Sequence, residues 1–564
     1  MRTRVLAALP ASLLLLLAGG CQPITTELGS MSTRLDAPPL FEGMGPHKRA
    51  VSTKSPEAQK YFDQGLTWAY AFNHDEAIRS FEHAAKLDPT CAMAWWGVAL
   101  CHGPHINNPA MTEERSRAAW EALEKARELA PGASEVERAL IAALAERYAD
   151  PSSGKVPLTF EERAGLDKAY ADAMAKVWRE HDDDADVGNL YAEALMDLRP
   201  WDLWDREGNP RPETPAVLAT LERVMELDED HPGANHLYIH ACEASKHPEK
   251  AVPAADRLRT LVPASGHLVH MPAHIDVRVG EWDQAAEQNR RASKIDGEYR
   301  KISPRQGFYR LYMAHNDHFL SWACMMQGRK AEAISAARAM LSKVPKDWLM
   351  ENAPIADSVA AIEIEALLRF GEWDELLKVQ KPPEILPITI ALWHFGRASA
   401  HNAKGELTEA RAEQEAFRKA AAAVPKDAIM AINKAHDVLA IAELVLDGEI
   451  RYRDGDADGA VAKLREAARL EDGLMYMEPP DWVQPSRHAL GAILLASDRF
   501  AEAEEVYRKD LKAWPENGWS LYGLSEALKA QKKPEAASVE ARFRKAWADA
   551  DTEIGASCLC VEKK

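Results

Sequence analysis

Small, aromatic and proline positions recur in a fixed frame along a chain rich in Ala, Leu and Glu. Between residues 58 and 89 the frame consists of Gly65, Trp68, Ala77, Phe81, Ala84 and Pro89. Near the C-terminus it returns with Gly491, Ala503, Tyr507 and Pro515. Weaker copies run through 333–345, 410–417 and 460–467. Because self-similarity at a fixed period marks repeat architectures, this pattern predicts a repeat protein.

The spacing of these positions resembles the tetratricopeptide repeat (TPR) over most of 58–533. The resemblance implies an all-α fold, a right-handed α-solenoid of stacked helix-turn-helix units without a sheet. We expect N-terminal TPR-like repeats over 56–345, C-terminal TPR-like repeats over 346–545, and a tail over 546–564. Length alone would also allow several domains. A repeat is a scaffold, so this signal says little about chemistry.

The N-terminal segment has the layout of a secretory signal. Arg2 and Arg4 precede an apolar run over 5–17, and small residues follow. The apolar run is too short for a comfortable membrane span. We therefore predict a signal peptide over 1–20.

The end of this segment, residues 17–21, resembles the lipobox of bacterial lipoproteins, with Ala18 where Leu is more usual. The resemblance implies a lipid on Cys21 and a location in the cell envelope, as an outer-membrane lipoprotein that faces the periplasm or the cell surface. A plain secretory signal is the alternative. Residues 21–55, rich in Pro, Thr, Ser and Gly, are expected to form a flexible tether.

Charge and cysteine content exclude several classes of protein. The chain has 69 Lys and Arg against 88 Asp and Glu, a formal net charge of −19. With no basic run, this balance argues against nucleic acid or an anionic lipid surface as a partner. After Cys21 the cysteines are Cys91, Cys101, Cys242, Cys324, Cys558 and Cys560. The last two form a CxC in the tail, and the overall density is too low for a disulfide scaffold.

Histidines crowd into one part of the chain. The stretch GHLVHMPAHIDVRVGEW contains His267, His270 and His274. The preceding NHLYIHACEASKH contains His236, His240 and His247, and the following MAHNDHF contains His315 and His318.

Most of these histidines fall in register with the repeats. The repeats that begin at 232 and 266 carry histidines at their fifth and ninth residues, and the repeat that begins at 314 carries them at its second and fifth. In TPR proteins such positions face the concave groove, so the resemblance implies that these imidazoles point at one patch. Histidines three or four residues apart also share a helix face. We therefore predict a metal site in the groove with the ligands His236, His240, His270, His274, His315 and His318.

The ligand set limits the choice of metal. Nitrogen ligands favour zinc, copper, iron or nickel over calcium and magnesium. Six imidazoles resemble the coupled binuclear copper proteins, so copper, one ion or two, is the first expectation, with zinc or iron as alternatives. A protonation-sensitive peptide groove and plain packing stay open as further alternatives. Because proline is disfavoured within a helix, Pro272 predicts a helix that begins near Met271 and leaves His267 and His270 in the preceding turn.

Other residues could support this site. A nearby carboxylate could orient an imidazole or serve as an extra ligand. The candidates for such roles are His267, Glu243, Asp317, His102, His105 and His488. The loops HGPHINNP and MYMEPPDW could meet over the groove if the superhelix closes a turn, and would then form a lidded cavity. The remaining histidines are interpreted as surface or cap residues without a role, namely His47, His74, His83, His181, His231 and His247.

Two functional classes are consistent with these patterns. The first is a lipid-anchored TPR metalloprotein with a multi-histidine copper site, an oxidoreductase acting on a small molecule or peptide. The second is a TPR interaction scaffold that binds an envelope protein or peptide without catalysis. Histidine at the groove positions, in place of dispersed Asn, Lys and Arg, favours the first. No catalytic signature such as HExxH is present, so the reaction class depends on ligand type alone.

Overall fold

Helices joined by short turns make up almost all of the regular structure. The computed structural model describes residues 37–303 and 307–561, so the predicted signal peptide, Cys21 and the first part of the predicted tether lie outside the described residues. Within those ranges, the only strands form a short antiparallel pair, β1 Ile429–Met430 and β2 Asn433–Lys434. The all-α class is confirmed, whereas the expectation of no sheet is wrong at this one pair, which lies in the connection between two helices. None of the described helices is both long and apolar enough to cross a membrane.

The helices of the first half are α1 Pro56–Tyr70, α2 His74–Leu87, α3 Ala92–His102, α4 Glu113–Leu129, α5 Glu135–Ala145, α6 Phe160–Glu180, α7 Ala185–Met196, α8 Thr214–Leu227, α9 Pro232–Glu243, α10 Val252–Leu261, α11 Gly266–His270, α12 Pro272–Val279, α13 Trp282–Ile302, α14 Arg310–Met326 and α15 Lys330–Lys343. The helices of the second half are α16 Lys346–Glu351, α17 Ala353–Asp357, α18 Ile362–Arg369, α19 Trp373–Lys378, α20 Pro387–Ala403, α21 Leu407–Ala423, α22 Ala435–Arg453, α23 Ala457–Glu471, α24 Ser486–Ala496, α25 Phe500–Ala513, α26 Gly518–Ala530 and α27 Ala536–Ala546. Short 3-10 turns occur at Ala130–Gly132, Pro151–Ser153, Pro248–Ala251 and Gly307–Tyr309.

Helix starts follow capping signals in the sequence. At the start of α1, the Ser55 hydroxyl accepts a hydrogen bond from the backbone N–H of Ala58. At the start of α6, Thr159 and Glu162 form a capping box. Such side chains satisfy backbone N–H groups that lack a partner inside the helix, and so fix where each helix begins.

Consecutive helix pairs pack closely because glycines face a shared aromatic ring. A Cβ on Gly65 in α1 or on Gly97 in α3 would lie 2.7 Å from the ring of Phe81 in α2, so neither position has room for a side chain. The late repeats have the same arrangement at Gly491, Tyr507 and Gly523. The small and aromatic frame of the sequence is thus the contact through which the repeats stack, and the chain has a TPR-like helical-repeat fold.

The late repeats fold back against the central ones. One large cluster of buried apolar side chains extends over 58–313 and another over 361–561, while a third includes residues of both halves. In this third cluster the ring of Trp322 lies 5.2 Å from that of Trp282 and 5.1 Å from that of Trp514. This closure brings residues that follow α23 beside the central histidines.

Residues 37–55, which we call the N-terminal strap, are packed against the repeats and do not form the flexible tether predicted over 21–55. Arg49 in the strap is 8% exposed and forms ion pairs with Asp184 and Asp186 at 2.7 and 3.0 Å. A buried guanidinium is stable only when it is paired, so these contacts hold the strap in place. The polar composition that predicted a tether here supplies buried ion pairs instead.

Candidate metal centre

Helices α9, α11, α12 and α14 carry the central histidines into one region of the stack. Those on α9 to α12 are buried, namely His236, His240, His267, His270 and His274. Pro272 is the first residue of α12. The helical structure is interrupted at Met271, between α11 and α12, as the position of Pro272 predicted. The ring of proline therefore disturbs no helical hydrogen bond.

Six imidazoles form two groups of three, and the ligating atoms within each group lie within 4.8 Å of one another. The first triad consists of His236, His240 and His267, and the second triad consists of His270, His274 and His315. The rings of His240 and His274, one from each triad, have centroids 6.0 Å apart. The two triads are therefore neighbours.

The triads include His267, and they do not include His318, which the repeat frame predicted as a ligand. The His267 ring lies 4.9 Å from that of His236, whereas the His318 ring lies 6.4 Å from that of His315 and belongs to neither triad. Three residues along a helix turn through about 300°, so His318 lies about 60° from His315 around α14. The prediction of His318 as a ligand is not supported by this geometry, and five of the six predicted ligands are brought together.

The first triad has imidazole nitrogens that are buried and unpaired. The Nδ1 atom of His236 lies 2.7 Å from the carbonyl oxygen of Tyr70, and Nδ1 of His240 lies 2.8 Å from Oε1 of Glu243. Because these oxygens only accept, Nδ1 carries the hydrogen and Nε2 keeps its lone pair. Both Nε2 atoms, and both ring nitrogens of His267, have no hydrogen-bond partner among the described residues. Each such atom costs about 1–3 kcal/mol. A bound cation would offset this cost at the nitrogens that carry a lone pair, one on each of the three rings.

The second triad directs two nitrogens at each other. Nδ1 of His270 lies 2.7 Å from Oδ1 of Asn289, so Nδ1 carries the hydrogen here as well. Nε2 of His270 lies 2.9 Å from Nε2 of His274. Two lone pairs at this separation repel unless a proton or a metal cation lies between them. Nitrogens that each lie about 2 Å from one ion have a similar separation.

Glu243 links the two triads. Its Oε1 lies 2.8 Å from Nδ1 of His240, and its Oε2 lies 2.8 Å from Nδ1 of His274. The second contact is an ion pair, because its alignment is poor for a hydrogen bond. Burial raises the pKa of Glu243, but His274 and His240 outweigh that effect and lower this pKa to about 2. One ionised carboxylate therefore orients an imidazole in each triad.

The electrostatic environment of His274 differs from that of four other imidazoles in the triads. Burial lowers the pKa well below that of ordinary histidine at His236, His267, His270 and His315. Burial also acts on His274, but Glu243 and Glu478 outweigh it and raise the pKa of His274 to about 10. The same negative potential that stabilises a proton on His274 would stabilise a metal cation.

Both loops that the sequence singled out reach this region. His105, in the loop 102–111, stacks on Phe72 with ring centroids 4.7 Å apart, and Phe72 in turn packs on the first triad. Glu478, in the loop 475–487, lies 3.1 Å from a ring nitrogen of the second triad. No sequence pattern pointed to Glu478 itself, because its partner is on a repeat far away in the chain.

A cavity of about 520 Å³ adjoins the first triad. His240 and Glu243 lie on its wall beside Trp201, whose ring is 5.4 Å from that of His240. The two loops contribute Ile106 and Tyr476 to the same wall. A small molecule in this cavity would meet the imidazole of His240, whereas the second triad does not line the cavity.

Four predicted supporting residues belong to no group of ligating atoms in the described part of the chain, and they are His102, His105, Asp317 and His488. Asp317 is an ion-pair partner of Lys343, at 2.5 Å. His488 pairs with Asp510 at 3.0 Å in the late repeats. His267 and Glu243 are the two predicted supporting residues that the geometry brings into contact with the central imidazoles.

Sequence reasoning missed a separate buried cluster near the strap. His47 and His231, interpreted as surface or cap residues, lie 3.0 and 3.2 Å from Asp186. His231 does cap α9, but its side chain is fully buried. Asp186 also accepts from the hydroxyl of Tyr70 at 2.6 Å and pairs with Arg49, so its oxygens are already satisfied. This favours a structural hydrogen-bond network over a metal site.

His74 also differs from its interpretation as a surface residue. Its ring nitrogen Nδ1 is buried, and burial lowers the pKa of His74 to about 3. By contrast, His247 is exposed and contacts Glu249 at 3.0 Å, as expected for a surface residue.

The fold and the site define a TPR-like helical-repeat protein with two adjoining histidine triads. No family model matches the chain, and no curated protein matches it. Among solved structures it is similar to the human IFIT1 dimer with m7Gppp-AAAA, at 13% identity over 88% of this chain and 91% of that chain, with a TM-score of 0.32. It is also similar to the APC/C hetero-tetramer Cut9–Hcn1, at 14% identity over 89% and 75% of the two chains with a TM-score of 0.29. Yeast Tom70 matches at 11% identity over 87% and 91%, with a TM-score of 0.24. These likenesses are distant, and the fold class rests on the helix pairs and their glycine–aromatic packing.

Proposed function

We propose that each triad holds one metal ion, copper above all, and that the protein is a metalloprotein of the helical-repeat class. The observation that carries this proposal is the convergence of two adjoining sets of three imidazoles, the first of which has buried Nε2 atoms that lack a partner among the described residues. Unpaired nitrogens on this scale are a cost to the fold without a cation. Zinc or iron are alternative occupants of the same donor set.

The residues around the triads fix the orientation of the imidazole rings, as metal ligation requires. The carbonyl of Tyr70, the carboxylate of Glu243 and the amide of Asn289 each accept from an Nδ1–H, which directs Nε2 towards the proposed ions. Glu478 adds a second carboxylate beside His274. Copper held by imidazoles supplies one-electron exchange between Cu(II) and Cu(I).

The cavity beside His240 supports an oxidoreductase that acts on a small molecule. Its volume of about 520 Å³ is in the range of small-molecule sites, and it combines aromatic walls such as Trp201 with polar groups such as Glu243. Because the cavity reaches the first triad alone, the substrate would meet the ion of the first triad. The second triad, packed against Phe319, does not line the cavity, so His270, His274 and His315 would hold their ion away from the substrate.

An interaction scaffold that binds an envelope protein or peptide is the second candidate, and the stacked repeats favour it because such folds present extended binding surfaces. The burial of the central histidines argues against their use as contacts in an open peptide groove. Either function is compatible with the proposed lipid anchor on Cys21. That anchor would be refuted if Cys21→Ser left the distribution between membrane and soluble fractions unchanged.

Metal titration tests the proposal. Protein stripped with a chelator should bind about two copper ions per chain, as the two triads imply. His240→Ala and His274→Ala should each remove one ion, whereas the matched control His247→Ala, at an exposed ring, should keep both. Ascorbate should bleach the Cu(II) absorption, and air should restore it. Wild-type binding by the double variant His240→Ala/His274→Ala would refute the metal site.

A further inference from the structure

The tail carries a disulfide beside a buried carboxyl group. Cys558 and Cys560 are bonded to each other with one residue between them, and Oε1 of Glu449 lies 3.8 Å from Sγ of Cys558. The carboxylate oxygen and both sulfurs lie within 4.8 Å of one another. This group is distinct from the histidine triads, and a role for it does not depend on the proposed metal site.

Other thiols in the described chain do not share these properties. The free cysteines there are all buried, at Cys91, Cys101, Cys242 and Cys324. Burial raises the pKa of the Cys91 thiol to about 11 and that of the Cys242 thiol to about 12, which keeps them protonated and unreactive. Cys558 is half-buried and can be reached from solvent, while Cys560 is 6% exposed.

The tail is held in place by contacts other than the disulfide. The Ser557 hydroxyl donates to the carbonyl of His488 at 2.7 Å and lies 2.7 Å from the hydroxyl of Tyr507. The hydroxyl of Tyr522 donates to the carbonyl of Gly555 at 3.2 Å. Opening of the disulfide therefore does not need to release the tail, and the two sulfurs would stay beside Glu449.

Glu449 is placed to carry a proton. It lies on α22, where burial raises its pKa to about 7 and the hydroxyl of Ser399, at 3.4 Å, acts in the opposite direction. A small cavity beside Cys558 is shared by Glu449, by Glu365 and Arg369 of α18, and by His488 of α24. A carboxyl group that titrates near neutral pH can both give and accept a proton under physiological conditions.

We propose that Cys558 and Cys560 form a thiol–disulfide exchange site, reduced by a low-molecular-weight thiol, with Glu449 as the proton relay. The thiolate of the first substrate molecule attacks Sγ of Cys558, the Cys558–Cys560 bond breaks, and Cys560 leaves with the electron pair and takes a proton from Glu449. A second thiol gives its proton to Glu449 and attacks the substrate sulfur of the mixed disulfide. Cys558 then leaves as a thiolate and is protonated from solvent. Two substrate thiols are oxidised to one disulfide, and the protein gains two electrons as two thiols.

The test uses the full chain, glutathione as the thiol, and a chelator to remove adventitious metal. Reduction is stopped with acid at intervals from about pH 6 to about pH 8, thiols are labelled with a maleimide, and the C-terminal tryptic peptide is measured by mass spectrometry. Rates are divided by the concentration of glutathione thiolate, because only the thiolate attacks. In the wild type this normalised rate should fall by about tenfold as Glu449 ionises and can no longer donate.

Variants separate a relay from a merely structural disulfide. Glu449→Gln should give a normalised rate that does not change with pH, and Ser399→Ala should move the inflection to higher pH, because the hydroxyl that lowers the Glu449 pKa is lost. Glu365→Gln, a buried carboxyl on the same cavity, should behave as wild type. A disulfide that glutathione does not open while the fold is intact, or the same pH profile in wild type and Glu449→Gln, would overturn the proposal.

Discussion

Replacement of His267 by phenylalanine should stabilise the metal-free protein and weaken metal binding at the same time. Both ring nitrogens of His267 are buried and have no partner in the described structure, so the wild type carries one unpaired N–H and one unpaired lone pair there. Each costs about 1–3 kcal/mol. Phenylalanine retains the ring packing on Tyr312, where the centroids are 4.2 Å apart, but its larger ring costs about 1–3 kcal/mol. The two nitrogens together cost about 2–6 kcal/mol, so the middle of each range gives a net gain in unfolding free energy of about 2 kcal/mol without metal.

With metal present, the stability difference should shift by about 2.7 kcal/mol towards the wild type. An ion at about one hundred times its dissociation constant adds about 2.7 kcal/mol to the stability of the wild type. His267→Phe removes one of three ligands of the first triad, so this gain should be lost there and kept at the second triad. Thermal melting and equilibrium dialysis, each with chelator and with copper, measure the two effects on the same samples.

His318→Phe is the matched control, because His318 lies outside both triads. It should leave the metal stoichiometry at the wild-type value. The reasoning is wrong if His267→Phe melts below the wild type in chelator and copper shifts both proteins equally. That result would mean that the nitrogens of His267 are already satisfied and hold no ion.

Three further predictions concern other parts of the molecule. Glu243→Gln should weaken copper affinity at both triads by about ten- to a hundred-fold in equilibrium dialysis, because the Glu243 carboxylate orients one imidazole in each triad. An effect on one ion alone would contradict the proposed link between the triads. Burial lowers the pKa of His47, but Asp186 outweighs this effect, and the pKa is raised. The stabilisation from the His47–Asp186 pair is therefore present below the ordinary histidine pKa of about 6.5, and it is lost as the pH rises through the pKa of His47 in the folded protein. The melting temperature lost in His47→Gln should therefore be larger near pH 5.5 than near pH 8.5, and an equal loss would refute the ion pair. Gly97→Ala should cost about 1–3 kcal/mol in urea unfolding, because its Cβ would lie 2.7 Å from a buried ring, while Gly165→Ala, with nothing within 4 Å, should be neutral or stabilising; similar effects of the two would contradict the packing argument.

Much of the local architecture could be predicted from the sequence. Gly65 and Phe81 belong to neighbouring helices, and their place in the recurring frame implied the close packing that the structure has. The break at Pro272 was equally readable, because proline tolerates the first turn of a helix and not its middle. The histidines of α9, α11 and α12 lie in the repeats to which the recurring frame assigned them.

The predicted ligand set and the two triads differ at one residue, because the triads contain His267 in place of His318. The repeat frame gives the helix face of a residue to within about one position, which was too coarse to choose between His267 and His318. That choice depends on the rotation of each helix about its axis, which packing against the neighbouring helices sets. The sequence around His267 and the sequence around His318 do not differ enough to show which of the two joins a triad.

The sequence by itself determined the repeat unit, the helical class and the part of the chain that holds the histidines, because each of these depends on residues within one or two neighbouring repeats. Only the tertiary structure decided that Glu478 meets His274, 204 residues away in the chain, and that the strap is anchored on Asp186. It also decided that Glu449 lies beside the disulfide of the tail. These contacts depend on how small rotations between repeats add up over the whole stack. A local sequence pattern contains no record of that sum, so the closure of the stack and the chemistry it brings together appear only in three dimensions.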